Sequence, residues 1–264
     1  MDSDLTELVS VDGAIGPVAE ATIPLRDDGL YRGDGVFEVI RLYAGRPFAL
    51  VDHYERMQRS AAAIELPLDR GALEAEVEAL LAAAGEVEAQ LRLIVTRGGR
   101  RIAAIEPVPE HASAIAVASV VYSPTVILDG VKSLSYAANM HATRLAKARG
   151  AEEAVLVRPD GTVLEPPTSS IFWVSGGELR TSELPSGILA SITRDRLVAE
   201  LEVSEGEWQL ADLIGADEAF LASTTREIQP VRSVDDTELG AAPGPRTLEA
   251  QEAFRTVLAR ELGD

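Results

Sequence analysis

Apolar residues recur along the chain in two rhythms, and the change from one to the other marks the elements. Leu50, Tyr54, Met57, Ala61 and Ile64 repeat at intervals of four, three, four and three, which predicts a helix over about 51–64. A second helix is predicted over 72–84. Phe37 to Tyr43 reads as a strand, Ala44-Gly45-Arg46 as its turn, and Pro47 to Leu50 as the returning strand. Gln90 to Thr96 and Ser113 to Val121 are rich in β-branched residues and bounded by Gly98-Gly99 and by Pro107 and Pro109, so both are predicted strands. Tyr122-Ser123-Pro124 and Asp129-Gly130 then carry turn chemistry. Beyond them the pattern predicts a helix over 136–149 closed by Gly150, a buried strand from Glu153 to Val157, and a turn at Pro159-Asp160-Gly161. A strand over 171–174, a helix over 191–201, a strand over 218–222 and an amphipathic helix over 247–262 follow. The expected organisation is a small N-terminal α+β domain over 1–121, a linker over 122–130, and a larger domain over 131–264.

Composition narrows the chemistry. A chain of 264 residues with 46% apolar and 25% charged positions is long enough for a sizeable core and excludes disorder as the main reading. With no cysteine, disulfides, thiol nucleophiles and iron–sulfur clusters are excluded. Three histidines, His53, His111 and His141, make an all-histidine metal site unexpected, and no metal is called for. The net charge of −19 would repel nucleic acid and anionic membranes, so neither is an expected partner. Met1-Asp2-Ser3-Asp4-Leu5 has neither a basic nor an apolar leader region, and no run approaches a membrane span, so a cytoplasmic protein is expected.

Lys132 and Lys147 are the only lysines among 24 basic residues, so amine chemistry has two candidates. Lys132 sits between a turn and the start of a helix, a position compatible with an activated amine. Lys147 falls in the last helical turn beside Arg144 and Arg149, where a cation suits the helix dipole and reads as a surface residue. Glu165 stands before Pro166-Pro167 in a stiff loop that continues into Thr168, Ser169 and Ser170. Ser191-Ile192-Thr193 opens a helix, where unpaired N–H groups and a hydroxyl make an anion site or a plain N-cap. Ser223-Thr224-Thr225 ends a strand with three more hydroxyls. Together with Arg56 these clusters form a candidate cradle for one phosphate.

With those residues in place the chain resembles the class IV, or fold type IV, pyridoxal-phosphate aminotransferases. These include D-amino acid transaminases, branched-chain aminotransferases and aminodeoxychorismate lyases. The resemblance rests on Gly33-Asp34-Gly35-Val36-Phe37-Glu38, His53-Tyr54-Glu55-Arg56, Val131-Lys132-Ser133-Leu134, Gly150 to Ala154, Gly161 to Glu165, Gly187 through Arg194, and Ser223 through Ile228. It implies the two-domain fold of that family, α+β followed by a mostly β core flanked by helices, and pyridoxal 5′-phosphate as cofactor. It further implies that Lys132 bonds the cofactor and moves the proton, and that Glu165 pairs with the pyridine nitrogen. Arg56, Ile192, Thr193 and Thr224 are implied around the phosphate, Ser169, Ser170 and Ser223 are further cofactor-binding candidates, Tyr136 is a candidate for the phenolic oxygen, and Glu38 matches an acid near the dimer-facing site.

Departures concern the subgroup. Pro166, Ser170 and Ser191 stand where the family often has Gly, Asn and Gly. Phe37 replaces the substrate-contacting tyrosine of many D-amino acid transaminases, and Arg100-Arg101-Ile102 lacks their Arg-x-His pair. Thr96-Arg97-Gly98 and the Gly33 to Glu38 segment lean toward a D-amino acid transaminase with a 2-oxo acid acceptor, with (R)-amines as further candidate donors. The alternatives are an aminodeoxychorismate lyase and a branched-chain aminotransferase. A cofactor-free binding protein would require loss of Lys132 or Glu165, and both remain. Arg32, Phe37, Arg92, Arg97 and Thr225 are the candidate substrate residues, with Arg32 and Arg92 expected to share the α-carboxylate and Arg100 and Arg101 as loop alternatives. A homodimer or a multiple of it is implied.

Overall fold

The computed structural model describes residues 7–263, so Met1 to Leu5, read above for a leader, lie outside it. Two compact units emerge. One holds residues up to Pro109 together with Val131–Tyr136, and the other holds Glu110–Gly130 and the chain from Ala137 onward.

The first unit is built on strands β1 (Leu8–Val11), β2 (Ala14–Pro17), β3 (Gly35–Tyr43), β4 (Arg46–Pro47), β5 (Ala89–Thr96) and β6 (Arg101–Glu106), in spatial order β2-β1-β6-β5-β3-β4. Every pair is antiparallel, and the β3–β5 register runs from Gly35 opposite Thr96 to Leu42 opposite Ala89. Side chains alternate across a strand, so Val36, Ile40 and Leu42 share one face with Leu91, Leu93 and Val95. That face packs with helices α2 (Leu50–Ala63) and α3 (Arg70–Ala84) into a core that includes Tyr54, Met57, Leu73, Val77 and Leu80. Phe37 and Val39 take the opposite face. The returning strand expected over 47–50 is reduced to two-residue β4, because Ala49 adopts a left-handed φ of 50° and α2 begins at the next residue.

The second unit carries β7 (Ile115–Val121), β8 (Glu153–Val157), β9 (Ser170–Ser175), β10 (Glu178–Ser182), β11 (Ser204–Gly206), β12 (Glu218–Ser223), β13 (Glu227–Val234) and β14 (Thr237–Glu238). Its sheet runs β11-β10-β9-β12-β13-β7-β8, with β14 beside β13. The β10–β11, β13–β7 and β7–β8 pairs are parallel and the rest antiparallel. One face buries Val117, Val155, Ile171, Trp173 and Leu221 against Leu213 of α6 (Leu210–Ile214). The other packs Ala116, Ala118, Ala154 and Leu156 against Ala142 and Ala146 of α4 (Ala137–Ala148). Helices α5 (Ile192–Glu200) and α7 (Pro245–Leu262) complete it.

These divisions differ from 1–121, 122–130 and 131–264. Strand β7 pairs in parallel with β8 and β13, so it belongs to the second sheet, while Val131–Tyr136 joins the first. Both placements come from distant partners, which local pattern does not encode. Among the described residues no helix is long and apolar enough to cross a membrane.

Candidate active site

In the first unit, Lys132 is seated by backbone bonds along the free edge of β3. The Phe37 N–H donates to the Lys132 carbonyl at 3.1 Å, and the Leu134 N–H to the Gly35 carbonyl at 2.9 Å. The Lys132 N–H donates to the Ser60 hydroxyl on α2 at 3.1 Å. Close approach explains the glycines of the Gly33-Asp34-Gly35 turn. A Cβ on Gly35 would stand 2.5 Å from the Val95 carbonyl oxygen and 2.6 Å from Leu134 Cδ1, and Gly33 has a φ of +65°. The seat aims the side chain over β3: Lys132 Nζ lies 4.4 Å from the centroid of the Phe37 ring, which holds a cation over its face. Tyr136 meets the same ring edge-on at 5.2 Å. Lys147, by contrast, is exposed at the end of α4.

Behind this seat lies a buried ion cluster. Glu38 stands at a core parity of β3, between Val36 and Ile40, and is 0% exposed. Arg56 donates to it twice, from Nε at 2.7 Å and from Nη2 at 2.6 Å, and His53 Nδ1 lies 2.8 Å away. His53, Arg56 and Ser60 recur at i, i+3 and i+7 on α2, so one buried polar stripe meets both Glu38 and the Lys132 backbone. Burial alone would raise the Glu38 pKa, but the Arg56 charge and the hydrogen bonds from Arg56 and His53 hold it well below the usual carboxylate range. Burial pushes the His53 pKa down against the pull of Glu38, and the Arg56 and Lys132 charges push the same way. His53 is therefore the neutral donor to an ionised Glu38, through Nδ1–H. Arg56 is thus a locked cation, and Glu38, matched in sequence to a dimer-facing acid, lies inside the first unit.

In the second unit, Leu156 donates to the Glu165 carbonyl at 3.0 Å, tying the Glu165 loop to β8. Glu165 Oε1 accepts the Leu189 N–H at 2.9 Å, just before α5. Ser191 caps that helix by accepting from Arg194 N, and the opening N–H groups of a helix, here those of Ile192 and Thr193, have no carbonyl within it. Strand register sets Ser170 opposite Ala222, so Ser169 and Ser170 lie at the same end of the sheet as Ser223, Thr224 and Thr225. Arg226 closes this end, pairing with buried Glu153 at 2.5 Å and reaching Thr168 at 3.4 Å.

Three hydroxyls here are buried without a hydrogen-bond partner among the described residues: Ser169 Oγ, Ser170 Oγ and Thr193 Oγ1. Burying a hydroxyl unsatisfied costs about 1–3 kcal/mol, so two such groups at the sheet end and a third, Thr193, in the first turn of α5 fit a ligand rich in anionic oxygens.

The candidate substrate arginines separate. Arg97 is committed on all sides, with Nε on Asp34 at 2.6 Å, Nη1 on the Glu65 carbonyl at 3.1 Å and Nη2 on the Ile64 carbonyl at 2.7 Å. Arg100 pairs with Asp12 and Arg101 with Glu76. Arg32 pairs with Asp28 on the short α1 (Asp28–Arg32), its side chain 69% exposed. Arg92 sits four residues along β5 from Thr96, about 13 Å from the Gly35 end. Arg32 and Arg92 are thus held by different acids, Asp28 and Glu106. The pairing of the polar stripe on α2 with Glu38 is set by packing, and its sequence signal is that each breaks the apolar pattern of its own element.

Residues 35–234 match the amino-transferase class IV family. The D-alanine aminotransferase of Listeria monocytogenes serotype 4b is 32% identical over 93% of this chain and 94% of its own length. The putative branched-chain-amino-acid aminotransferase of Methanocaldococcus jannaschii is 32% identical over 94% of this chain and 96% of its own. A fold IV transaminase from Curtobacterium pusillum aligns with a TM-score of 0.85 at 26% identity, covering 93% of this chain and 98% of that one.

Proposed function

Because the chain belongs to the class IV aminotransferases, a pyridoxal-phosphate-dependent family, we propose that it moves an amino group from D-amino acids, and from (R)-amines, to a 2-oxo acid. The observation that carries the assignment of roles is the seat of Lys132, its Nζ held 4.4 Å over the Phe37 ring by backbone bonds to β3. The D-amino acid reading draws on the 32% identity to a D-alanine aminotransferase and on the Gly33 to Glu38 and Thr96-Arg97-Gly98 segments.

Pyridoxal phosphate, when bound, supplies an electrophilic carbon and a ring that takes up the electron pair left at the substrate Cα. Lys132 would hold the cofactor through its amine and, once displaced by the incoming substrate amine, would move a proton at the substrate Cα. Glu165, fixed by Leu189 N–H, keeps a proton on the pyridine nitrogen. The N–H groups of Ile192 and Thr193 and the hydroxyls of Ser169, Ser170, Thr193, Ser223 and Thr224 donate to the phosphate, with Arg56 as its cation. Tyr136 donates to the phenolic oxygen. Phe37 and Thr225 bound the substrate space and Arg92 receives the α-carboxylate, while Arg97, fully engaged, shapes the turn and Arg32 stays an exposed alternative. The active form is a cytoplasmic homodimer or a multiple of one.

A branched-chain activity is the second reading, since the Methanocaldococcus jannaschii relative is equally similar at 32%. The test supplies holoenzyme separately with D-alanine, L-leucine, (R)-1-phenylethylamine and aminodeoxychorismate, and follows loss of the absorbance of the lysine-bound cofactor. Fastest loss with D-alanine is expected. Fastest loss with L-leucine establishes the branched-chain reading, and turnover of aminodeoxychorismate alone establishes a lyase.

A further inference from the structure

Arg92 differs from the other candidate arginines in how its guanidinium is held. Among the described residues only Nε is engaged, donating to both Glu106 oxygens at 2.9 and 3.0 Å, and the terminal amino groups make none of its hydrogen bonds. Gln90 steadies Glu106 from the same strand, donating at 2.8 Å. Register puts Arg92 opposite Val39 and Ile94 opposite Phe37, so Arg92 shares the sheet face on which Lys132 Nζ covers the Phe37 ring. Diagonal neighbours on such a face have their β-carbons roughly 7–8 Å apart, well within the reach of an arginine side chain. Arg92 and Glu106 are each about one-third exposed, at 32% and 30%, so neither is sealed from a ligand.

We propose that Glu106 is a specificity-setting counter-ion: it holds Arg92 by Nε, leaves the terminal edge for a substrate carboxylate, and competes with that carboxylate for the guanidinium charge. The inference rests on the reading of Arg92 as the α-carboxylate partner. A lone arginine on this face would favour acids strongly and present a bare cation to an amine without a carboxylate. Glu106 offsets both tendencies. Amines then meet a neutral pair, and amino acids meet a guanidinium already oriented by Nε with its bidentate edge open.

The experiment compares wild-type, Glu106→Gln and Arg92→Ala holoenzymes. Two quantities are read: the ratio of KM for D-alanine to KM for (R)-1-phenylethylamine, and the dissociation constant of propionate, which carries the carboxylate and no amine. Glu106→Gln keeps the shape and removes the competing charge, so the ratio should fall and propionate should bind tighter, each by about two- to fivefold, the scale of a half-exposed ion pair. Glu106→Ala should move both quantities in the same direction, which guards against a local folding defect in either variant. Added salt should shrink the difference. Arg92→Ala should raise the ratio and weaken propionate binding. If Arg92→Ala leaves the ratio unchanged, the carboxylate reading of Arg92 fails. If Arg92→Ala raises it while both Glu106 variants leave ratio and propionate affinity at wild-type values, the counter-ion inference is overturned and the reading of Arg92 stands.

Discussion

Replacing Glu38 by glutamine keeps the side-chain shape and removes one charge from the interior of the first unit. The Arg56 guanidinium then loses the carboxylate that takes two of its N–H groups, and His53 loses the anion that fixes its Nδ1–H. Breaking a buried pair in this way costs about 3–5 kcal/mol, because the remaining charge stays desolvated. For 264 residues the unfolding entropy is ~0.55 kcal/mol/K, so the melting temperature of the cofactor-free protein should fall by about 5 to 9 °C. A triple replacement, Glu38→Met with His53→Leu and Arg56→Met, supplies apolar volume in place of the ions. It should return most of that stability, since buried ion pairs rarely outperform well-packed apolar residues. Cofactor affinity should not return with it, because the phosphate has lost its cation. Differential scanning calorimetry and a cofactor titration read both. A Glu38→Gln protein melting within about 1 °C of wild type would refute the burial argument, and normal cofactor binding by the triple variant would refute a phosphate role for Arg56.

Thr193→Val removes a buried hydroxyl that has no partner within the described residues, so the cofactor-free melting temperature should hold or rise while the dissociation constant for pyridoxal phosphate rises. Loss of a hydrogen bond to a charged group is worth about 1.5–3 kcal/mol, or roughly ten- to 150-fold, and pyridoxal without its phosphate should be unaffected. Acid should destabilise the protein in two stages. Below its ordinary pKa of 6.5 the unfolded chain protonates His53 while the folded chain resists, so stability falls as pH drops from there, and Glu38 adds a loss below 4.5. His53→Asn should flatten the first stage in melting curves between pH 7.5 and 5.5, and parallel curves for the two proteins would contradict this. Sedimentation should find a dimer or a multiple of it at assay concentrations, and an active monomer would overturn that expectation.

Much of the framework was legible in sequence because it is local. The period of Leu50, Tyr54, Met57 and Ala61 located α2, and the helices expected over 72–84, 136–149, 191–201 and 247–262 appear as α3, α4, α5 and α7 with ends shifted by one or two residues. What escaped was set by distant partners. Strand β7 looked like the end of the first domain because nothing local marks a parallel strand's sheet, and its partners β8 and β13 lie far along the chain. Strands β1, β2, β6, β10, β11 and β13 are short or interrupted by polar positions, so alternation alone did not raise them. Lys132, Glu165 and the hydroxyl clusters stood out by residue type and position. Their supports were hidden by ordinary composition. Glu38 was visible as one acid among apolar positions of like parity, and His53, Arg56 and Ser60 as polar residues at i, i+3 and i+7. That these two breaks of pattern satisfy each other is information only the packing of α2 on β3 supplies. The same holds for the arginines: among 24 basic residues, sequence does not reveal that Arg97 is fully engaged while Arg92 keeps one edge open.

Borohydride reduction of the holoenzyme, followed by proteolysis and mass spectrometry, asks directly which amine bonds the cofactor. The phosphopyridoxyl mass should appear on the peptide containing Lys132 and on no peptide containing Lys147, and Lys132→Ala should lose the label, the visible absorbance and turnover together. A label on Lys147, or wild-type transamination by Lys132→Ala, would contradict the assignment of Lys132 and with it the arrangement of every other role in the site.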